Sequence, residues 1–223
     1  MKDHETIPYS LPPLTDEEGV RRSTAMRDRL QQRRSCRYFS DEEVPRAIIE
    51  AAIESAGTAP SGANHQPWHF AVVASPDKKR AIRQAAEEEE RRFYAGKASE
   101  EWLDALAPLG TDAEKPFLET APWLIVVFAQ RKGGLAQDGE TRNYYVTESV
   151  GIACGLLLAT LHEAGLGTLT HTPSPMGFLR EICERPEHEK PMMVIVAGRP
   201  APSATVPVHA LKKKTLNQIS SWL

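Results

Sequence analysis

The stretch that decides the fold runs Tyr144-Tyr145-Val146-Thr147-Glu148-Ser149-Val150-Gly151-Ile152-Ala153-Cys154-Gly155-Leu156-Leu157-Leu158-Ala159-Thr160-Leu161-His162-Glu163-Ala164-Gly165. From Val150 to Leu161 it carries no charge and is apolar on every face, which predicts a helix buried all round in the middle of the molecule. A membrane span needs roughly 20 apolar residues, and Glu148, His162 and Glu163 close this run well short of that. Gly151 and Gly155, four apart on one face, would let another helix, or the same helix of a second copy, approach closely.

The elements around this helix alternate. Pro45 suits a first helical position, and Ile48, Ile49, Ala52, Ile53 and Ala56 recur at three- and four-residue steps before Gly57 ends the helix. Strands are predicted at Trp68 to Ala74, Trp123 to Ala129, Leu166 to His171 and Met193 to Gly198, the second as a central strand because it is apolar throughout. Further helices are predicted after Ser75-Pro76, with Ile82, Ala85 and Ala86 inward, and from Ser174 to Cys183. Such alternation indicates a layered α/β or α+β domain. Thr15 with Glu18 forms a capping box that opens a wet, charged helix to about Gln32, preceded by an extended arm over residues 1 to 14. Residues 95 to 120, with Trp102, Leu103, Leu106 and Leu109, have the composition of a lid. The 24 residues from Pro200 read as a tail lying on another surface, such as that of a second subunit.

Composition narrows the class. Apolar residues make up 41% and charged residues 26% of the 223, and a net charge of -3 gives no general attraction to nucleic acid or acidic membranes. Cys36, Cys154 and Cys183 are odd in number and widely spaced, so neither a disulfide framework nor a zinc spacing is available, and a reducing cytoplasm fits. No apolar h-region follows Met1, so no signal peptide or anchor is expected and the mature protein should start near Met1. The common nucleotide, metal and nucleophile motifs do not occur. His65 and His69 straddle Pro67, which argues against helical metal ligation.

Four constellations could carry chemistry. Arg33, Ser35 and Arg37 alternate in a short extended segment, so their side chains share a face. Two guanidiniums and a hydroxyl there suit a phosphate, although a solvated basic patch has the same composition. Pro60-Ser61-Gly62-Ala63 is a loop with glycine where backbone must approach something, or only a turn. Thr168, Thr170 and Thr172 alternate up to Pro173, placing hydroxyls at the end of a strand, where α/β sheets meet ligands; the β-propensity of threonine is the plainer account. Glu90, Tyr94 and Lys115 offer an anion, a phenol and a cation able to clasp a zwitterion. Glu87 to Glu90, however, are four consecutive carboxylates and predict a mobile, solvated helix end.

Arg33-Arg34-Ser35-Cys36-Arg37, Pro60-Ser61-Gly62-Ala63, Glu87 to Tyr94, Ile152-Ala153-Cys154-Gly155 and Thr170-His171-Thr172-Pro173 occur in the order seen in the nitroreductase superfamily. Within it the chain resembles the iodotyrosine deiodinases over roughly residues 30 to 220. The resemblance implies an α+β nitroreductase-like fold, a central mixed sheet flanked by helices in an intertwined dimer with FMN at the interface. It divides the chain into an arm and helix over 1-29 and an FMN domain over 30-223, with a lid at about 88-115 and a tail over 200-223 wrapping the partner.

By the same resemblance FMN would contact Arg33, Arg34, Ser35, Cys36 and Arg37, with Arg33 and Ser35 at the phosphate and Arg37 at the pyrimidine edge. Ser61 would come from the other subunit. Thr170, His171 and Thr172 would line the flavin, Thr172 bonding N5. Lys213 stands where relatives carry an arginine against the phosphate. Glu90 would bind the ammonium of a halotyrosine, Tyr94 and Lys115 its carboxylate, and the Ala63 N–H its phenolate, so Thr172 and Ala63 act nearest the chemistry. The implied activity is reductive dehalogenation of halotyrosines, with NAD(P)H as reductant directly or through a reductase, in a homodimer, without nucleic acid, membrane or metal. A general NAD(P)H-dependent nitroreductase or flavin reductase, and a flavin- or amino-acid-binding protein without turnover, are the alternatives.

Overall fold

The computed structural model describes residues 4-223, so the first three residues of the expected arm lie outside the described residues. The chain divides between Arg33 and Arg34 into two compact units. In the first, helix α1 (Asp16–Gln31) starts at Thr15, whose hydroxyl accepts the Glu18 N–H at 3.2 Å. The Glu18 carboxylate does not reach back to complete the expected capping box. It pairs forward with Arg21 and Arg22, both at 2.6 Å, because its own helix supplies guanidiniums three and four residues on. As expected, α1 buries none of its residues within the chain.

The second unit is built on four strands, β1 (Trp68–Val73), β2 (Trp123–Gln130), β3 (Gly167–His171) and β4 (Glu189–Gly198), in the order β1-β2-β4-β3. All three pairings are antiparallel. Parallel pairing, the other half of the expected mixed sheet, is confined to the single bridge between Ser35 and Thr168 at the β3 edge. An apolar run such as β2 reports burial on both faces and says nothing about direction, so the sequence could not distinguish the two.

Both faces are covered. Ile125, Val127, Ala129, Ile195 and Ala197 pack on helices α2 (Arg46–Gly57) and α6 (Val146–Glu163). Leu124, Val126, Phe128, Val194 and Val196 pack on the opposite side. That side carries α3 (Pro76–Arg92), α5 (Phe117–Thr120) and α7 (Phe178–Ile182), through Ile82, Ala86, Leu118 and Leu179. Period-two alternation along two central strands thus divides the core into two clusters. Helix α4 (Glu100–Leu106) lies in the lid, and α8 (Leu216–Ile219) in the tail. The tail's short turn Val208–Leu211 touches Ala107–Leu109 of the lid.

Three expectations about helices change. Helix α6 is buried on one side only, through Ser149, Val150, Ala153, Cys154, Leu157 and Leu161, whereas Ile152 is 47% exposed and Leu156 37%. Gly151 and Gly155 lie on that open side with nothing within 4 Å of a Cβ built on either. The composition of a fully buried helix is there, but one chain covers only half of it. Helix α3 runs through the whole Glu87 to Glu90 segment to Arg92 instead of dissolving into a solvated end. Its carboxylates are compensated by Arg83, Arg92, Lys97 and Lys115, which offsets the like-charge repulsion. The segment before α7 also departs from expectation: the helix begins at Phe178, four residues later than Ser174.

Candidate active site

The extended segment after Arg34 is laid against β3 by Ser35 pairing with Thr168 and by the Cys36 N–H donating to the Thr168 carbonyl at 2.9 Å. Gly167 permits this approach. A Cβ there would stand 3.0 Å from the Cys36 Cβ and 3.2 Å from its Sγ. Cys36 itself is buried, and burial raises its thiol above the ordinary value against the opposing pull of the Tyr38 carbonyl contact and Arg37. It is a packing residue between the segment and the strand. The opposite alternation sends Arg37 into a cavity of about 260 Å³.

That cavity is where the expected residues meet. Arg37, Glu90, Tyr94, Lys115, Thr170, His171 and Thr172 all line it, although they come from five separate places in the chain. Glu90 and Tyr94 are one helical turn apart at the end of α3, where the backbone widens into a π-turn over Phe93–Lys97. Such a turn re-aims side chains within a helix. Lys115 is buried, and its Nζ lies 3.2 Å from Glu90 Oε2, 5.9 Å from the centre of the Tyr94 ring, and donates to the Asp112 carbonyl. The Tyr94 hydroxyl donates to Thr111 Oγ1 at 3.0 Å. Lys115 thus joins the set, paired with the Glu90 carboxylate and standing over the Tyr94 ring.

On the strand side, Thr170 and Thr172 are exposed and His171 is buried between them. Burial, reinforced by the nearby Lys115 charge, pushes the His171 imidazole down from 6.5 to about 3, so it is neutral at physiological pH. Its ring packs edge-on against Phe117 at 5.9 Å. Among the described residues its Nε2 has no hydrogen-bond partner. A buried polar atom without a partner costs free energy unless something else meets it, and this one stands in the cavity wall.

Other expected residues are elsewhere. Arg33 closes the first unit, its N–H on the Leu30 carbonyl at 3.1 Å. Arg34 is half-buried at the start of the second unit, and Lys213 is exposed; neither lines the cavity. Ser61 and Ala63 do not line it either. Their loop is packed against the start of α6, with the Gly62 N–H directed at Ser149 Oγ at 3.4 Å and Ser61 Oγ accepting the Gln66 N–H at 2.9 Å. A Cβ on Gly62 would fall 2.6 Å from the Tyr144 carbonyl oxygen, so only glycine lets the loop close on Tyr144 and Tyr145. Ala63 takes φ 50, ψ 25, a left-handed conformation unusual for alanine, which presents the loop backbone outward.

Sequence reading missed Phe93, Leu106, Thr111, Asp112 and Phe117 as lining residues. Their signal was only the apolar content of residues 95 to 120. It also missed how the segment after residue 111 is fastened to α3, where the Lys115 N–H donates to Glu87 at 2.7 Å and Lys79 Nζ donates to the Glu119 and Ala121 carbonyls at 2.8 and 2.9 Å.

The chemistry of this donor set suits a planar, polar ligand together with a zwitterion: the Arg37 guanidinium and the Thr170 and Thr172 hydroxyls on the β3 side, an orphaned imidazole nitrogen between them, and paired opposite charges from Glu90 and Lys115. Comparison with known proteins points the same way. A model of the nitroreductase family matches residues 30–199. Iodotyrosine deiodinase of Haliscomenobacter hydrossis is 51% identical over 208 residues, covering 93% of this chain and 94% of that one. Human iodotyrosine deiodinase 1 is 45% identical over 216 residues, covering 96% of this chain and 74% of its own length. The crystal structure of oxidized iodotyrosine deiodinase bound to FMN and 3-iodo-L-tyrosine aligns with a TM-score of 0.70 at 31% identity, over 79% of this chain and 90% of that one. A BluB-like flavoprotein from Clostridium difficile, at 20% identity and a TM-score of 0.67, shares the fold. With its antiparallel sheet between two helical layers and its cavity walled by α3, the lid and the end of β3, the chain belongs to the nitroreductase family, among the iodotyrosine deiodinases.

Proposed function

We propose that the chain is an FMN-dependent reductive dehalogenase of halotyrosines, converting 3-iodotyrosine and related mono- and dihalotyrosines to tyrosine and halide. The observation that carries this is the meeting of Glu90, Tyr94 and Lys115 with Arg37 and Thr170 to Thr172 around one cavity. A general flavin reductase has no use for a buried cation and anion held in register, whereas an amino acid presents the matching pair of charges.

Glu90 takes the substrate ammonium, and Lys115 with Tyr94 takes its carboxylate. The internal Glu90–Lys115 contact of 3.2 Å is then exchanged for two contacts to the ligand, so neither buried charge is left uncompensated. The lid, carrying Trp102 and Leu106 over the cavity, excludes water and strengthens each of these contacts. FMN is held by Arg33, Arg34, Ser35 and Arg37, by Thr170 to Thr172, and by Lys213 at the phosphate. Bound FMN supplies the two electrons that, with a proton, replace the carbon–halogen bond by carbon–hydrogen and release halide. Arg37 would supply positive charge to stabilise the anionic reduced cofactor, and Thr172 would offer its hydroxyl as a hydrogen-bond donor to the ring.

Ser61 and the Ala63 N–H are contributed by a second copy, which makes the working protein a homodimer. Supporting this, the loop does not line its own chain's cavity, it is tied to the first turn of α6 through Ser149, and Gly151, Ile152, Gly155 and Leu156 of α6 are exposed. NAD(P)H is the source of electrons, directly or through a reductase. The division taken from the resemblance is part of this reading: an FMN domain from residue 30 onward, with a lid over 88-115 and the tail over 200-223 lying on the partner. No described helix is long and apolar enough to cross a membrane.

The test is anaerobic turnover of 3-iodotyrosine by FMN-loaded protein reduced with dithionite. Tyrosine and iodide in equal amounts are expected; no tyrosine overturns the proposal. Rapid NAD(P)H oxidation with nitroaromatics and no binding of halotyrosine would establish the general nitroreductase instead.

A further inference from the structure

Glu87 is the most informative residue that neither the motifs nor the cavity lining single out. In sequence it is one of four like charges. In the structure it is 8% exposed, and its Oε1 accepts two hydrogen bonds, from Arg83 Nε at 2.6 Å and from the Lys115 backbone N–H at 2.7 Å. Arg83 is itself oriented by Glu119 at 3.3 Å and Glu114 at 3.8 Å. Burial alone would raise the Glu87 carboxyl, but the Arg83 guanidinium and the Lys115 N–H outweigh it, and it sits below the ordinary carboxylate value.

Residues three apart share one face of a helix, so Glu87 and Glu90 meet Lys115 together, one at its backbone and the other at its Nζ. These two contacts differ in what a substrate does to them. A zwitterion draws Glu90 away to its ammonium. Glu87 does not itself line the cavity, and it keeps its hold on the Lys115 backbone.

We infer that Glu87 is a positioning residue, a fixed anchor that keeps Lys115 in register with α3 while Glu90 transfers to the substrate, and that it thereby sets the preference for zwitterionic over uncharged halophenols. This rests on the assignment of Lys115 to the substrate carboxylate. Without the anchor, the exposed stretch from Asp112 to Glu114 has no other charge-assisted tie to α3 except the long Arg83–Glu114 pair. Lys115 Nζ would then be free to move away once Glu90 lets go, and an ångström of misplacement is costly in a preorganised site.

The experiment compares FMN-loaded wild type with Glu87→Gln, which keeps the size and loses the charge. For 3-iodotyrosine, KM should rise roughly tenfold with kcat little changed, as expected for loss of one charge-assisted hydrogen bond. For 2-iodophenol, which has neither ammonium nor carboxylate, affinity should stay within about twofold. Equal losses for both ligands would mean a purely structural role and would overturn the inference, as would no loss for either. Amide exchange over residues 112 to 116 of the substrate-free protein supplies a readout independent of turnover: faster exchange in the variant, with FMN affinity unchanged, is expected, and unaltered exchange refutes the anchor. Glu87→Asp, which keeps the charge one methylene shorter, should recover part of the lost discrimination and is read in the same way if Glu87→Gln does not fold. Should wild type bind no halotyrosine at all, the functional proposal fails, while amide exchange still decides whether Glu87 holds Lys115.

Discussion

The lid side of the proposed site and the Ser61 to Ala63 loop differ in how much of their environment one chain supplies. On the lid side the α3 carboxylates are answered internally: Glu87 by Arg83 and the Lys115 N–H, Glu89 by Arg92, Glu90 by Lys115. The loop is equally well fixed, with Gly62 against Tyr144 and Ser61 bonded to Gln66, but it does not line its own chain's cavity. Next to it, α6 leaves Ile152 and Leu156 exposed beside two glycines. A binding half that is complete in one chain can be preorganised before association. A half that depends on a second copy links cofactor retention to assembly.

The largest effect expected from this contrast is at Gly151. Nothing lies within 4 Å of a Cβ built there, so in an isolated chain Gly151→Leu should stabilise α6 by about 1 kcal/mol through helix propensity alone. Against a partner helix the same side chain overpacks the seam. The expected result is dissociation toward monomer in sedimentation at micromolar concentration, together with loss of bound FMN. A variant that stays dimeric and yellow with a raised Tm would break the comparison, because the open side of α6 would then not be an interface.

Glu90→Gln should have the next largest effect, confined to the lid side. It removes the charge facing the substrate ammonium and leaves Lys115 Nζ buried with a weaker partner. Halotyrosine affinity should fall roughly 10- to 100-fold, as for loss of a charged hydrogen bond, with dimer and FMN content intact. Flavin fluorescence quenching on adding 3-iodotyrosine measures this directly. An unchanged affinity would remove Glu90 from the clasp.

How much of this was readable in the sequence follows the same division. Alternation in extended backbone grouped Arg33, Ser35 and Arg37, and Thr168, Thr170 and Thr172; Arg37, Thr170 and Thr172 line the cavity, whereas Arg33, Ser35 and the buried Thr168 do not. Glu90, Tyr94 and Lys115 were grouped only through the family resemblance, since no local rule joins residues 25 apart. Local rules also misread Glu87 to Glu90: four adjacent carboxylates repel when considered alone, and their cations come from as far away as Lys97 and Lys115. Glu87 as an anchor was invisible for that reason, its decisive contact spanning 28 residues. Composition identified α6 as a core helix but could not say whose core, since apolar side chains look the same whether covered by their own chain or by another. Sheet direction was lost similarly, because β2 and β4 are apolar on both faces in either orientation.

The smallest effect expected is on acid stability, and it belongs to the lid side because His171 is buried within one chain. Its folded value of about 3 lies below the ordinary 6.5, so between these pH values the unfolded chain binds a proton that the folded chain refuses. Stability therefore falls as pH falls: the contribution is fully present above about pH 6.5 and is lost progressively toward pH 3. The depressed Glu87 and Glu189 carboxylates act in the same direction at lower pH, so the isolating measurement is a difference. On going from pH 7.5 to 5, wild-type Tm should drop further than that of His171→Gln, which has no imidazole to protonate. The gap should be present in FMN-free protein and independent of protein concentration, as a property of one chain must be. Parallel drops would mean that the imidazole reaches water, and a gap that widened with dilution would move His171 to the half of the site that a second copy completes.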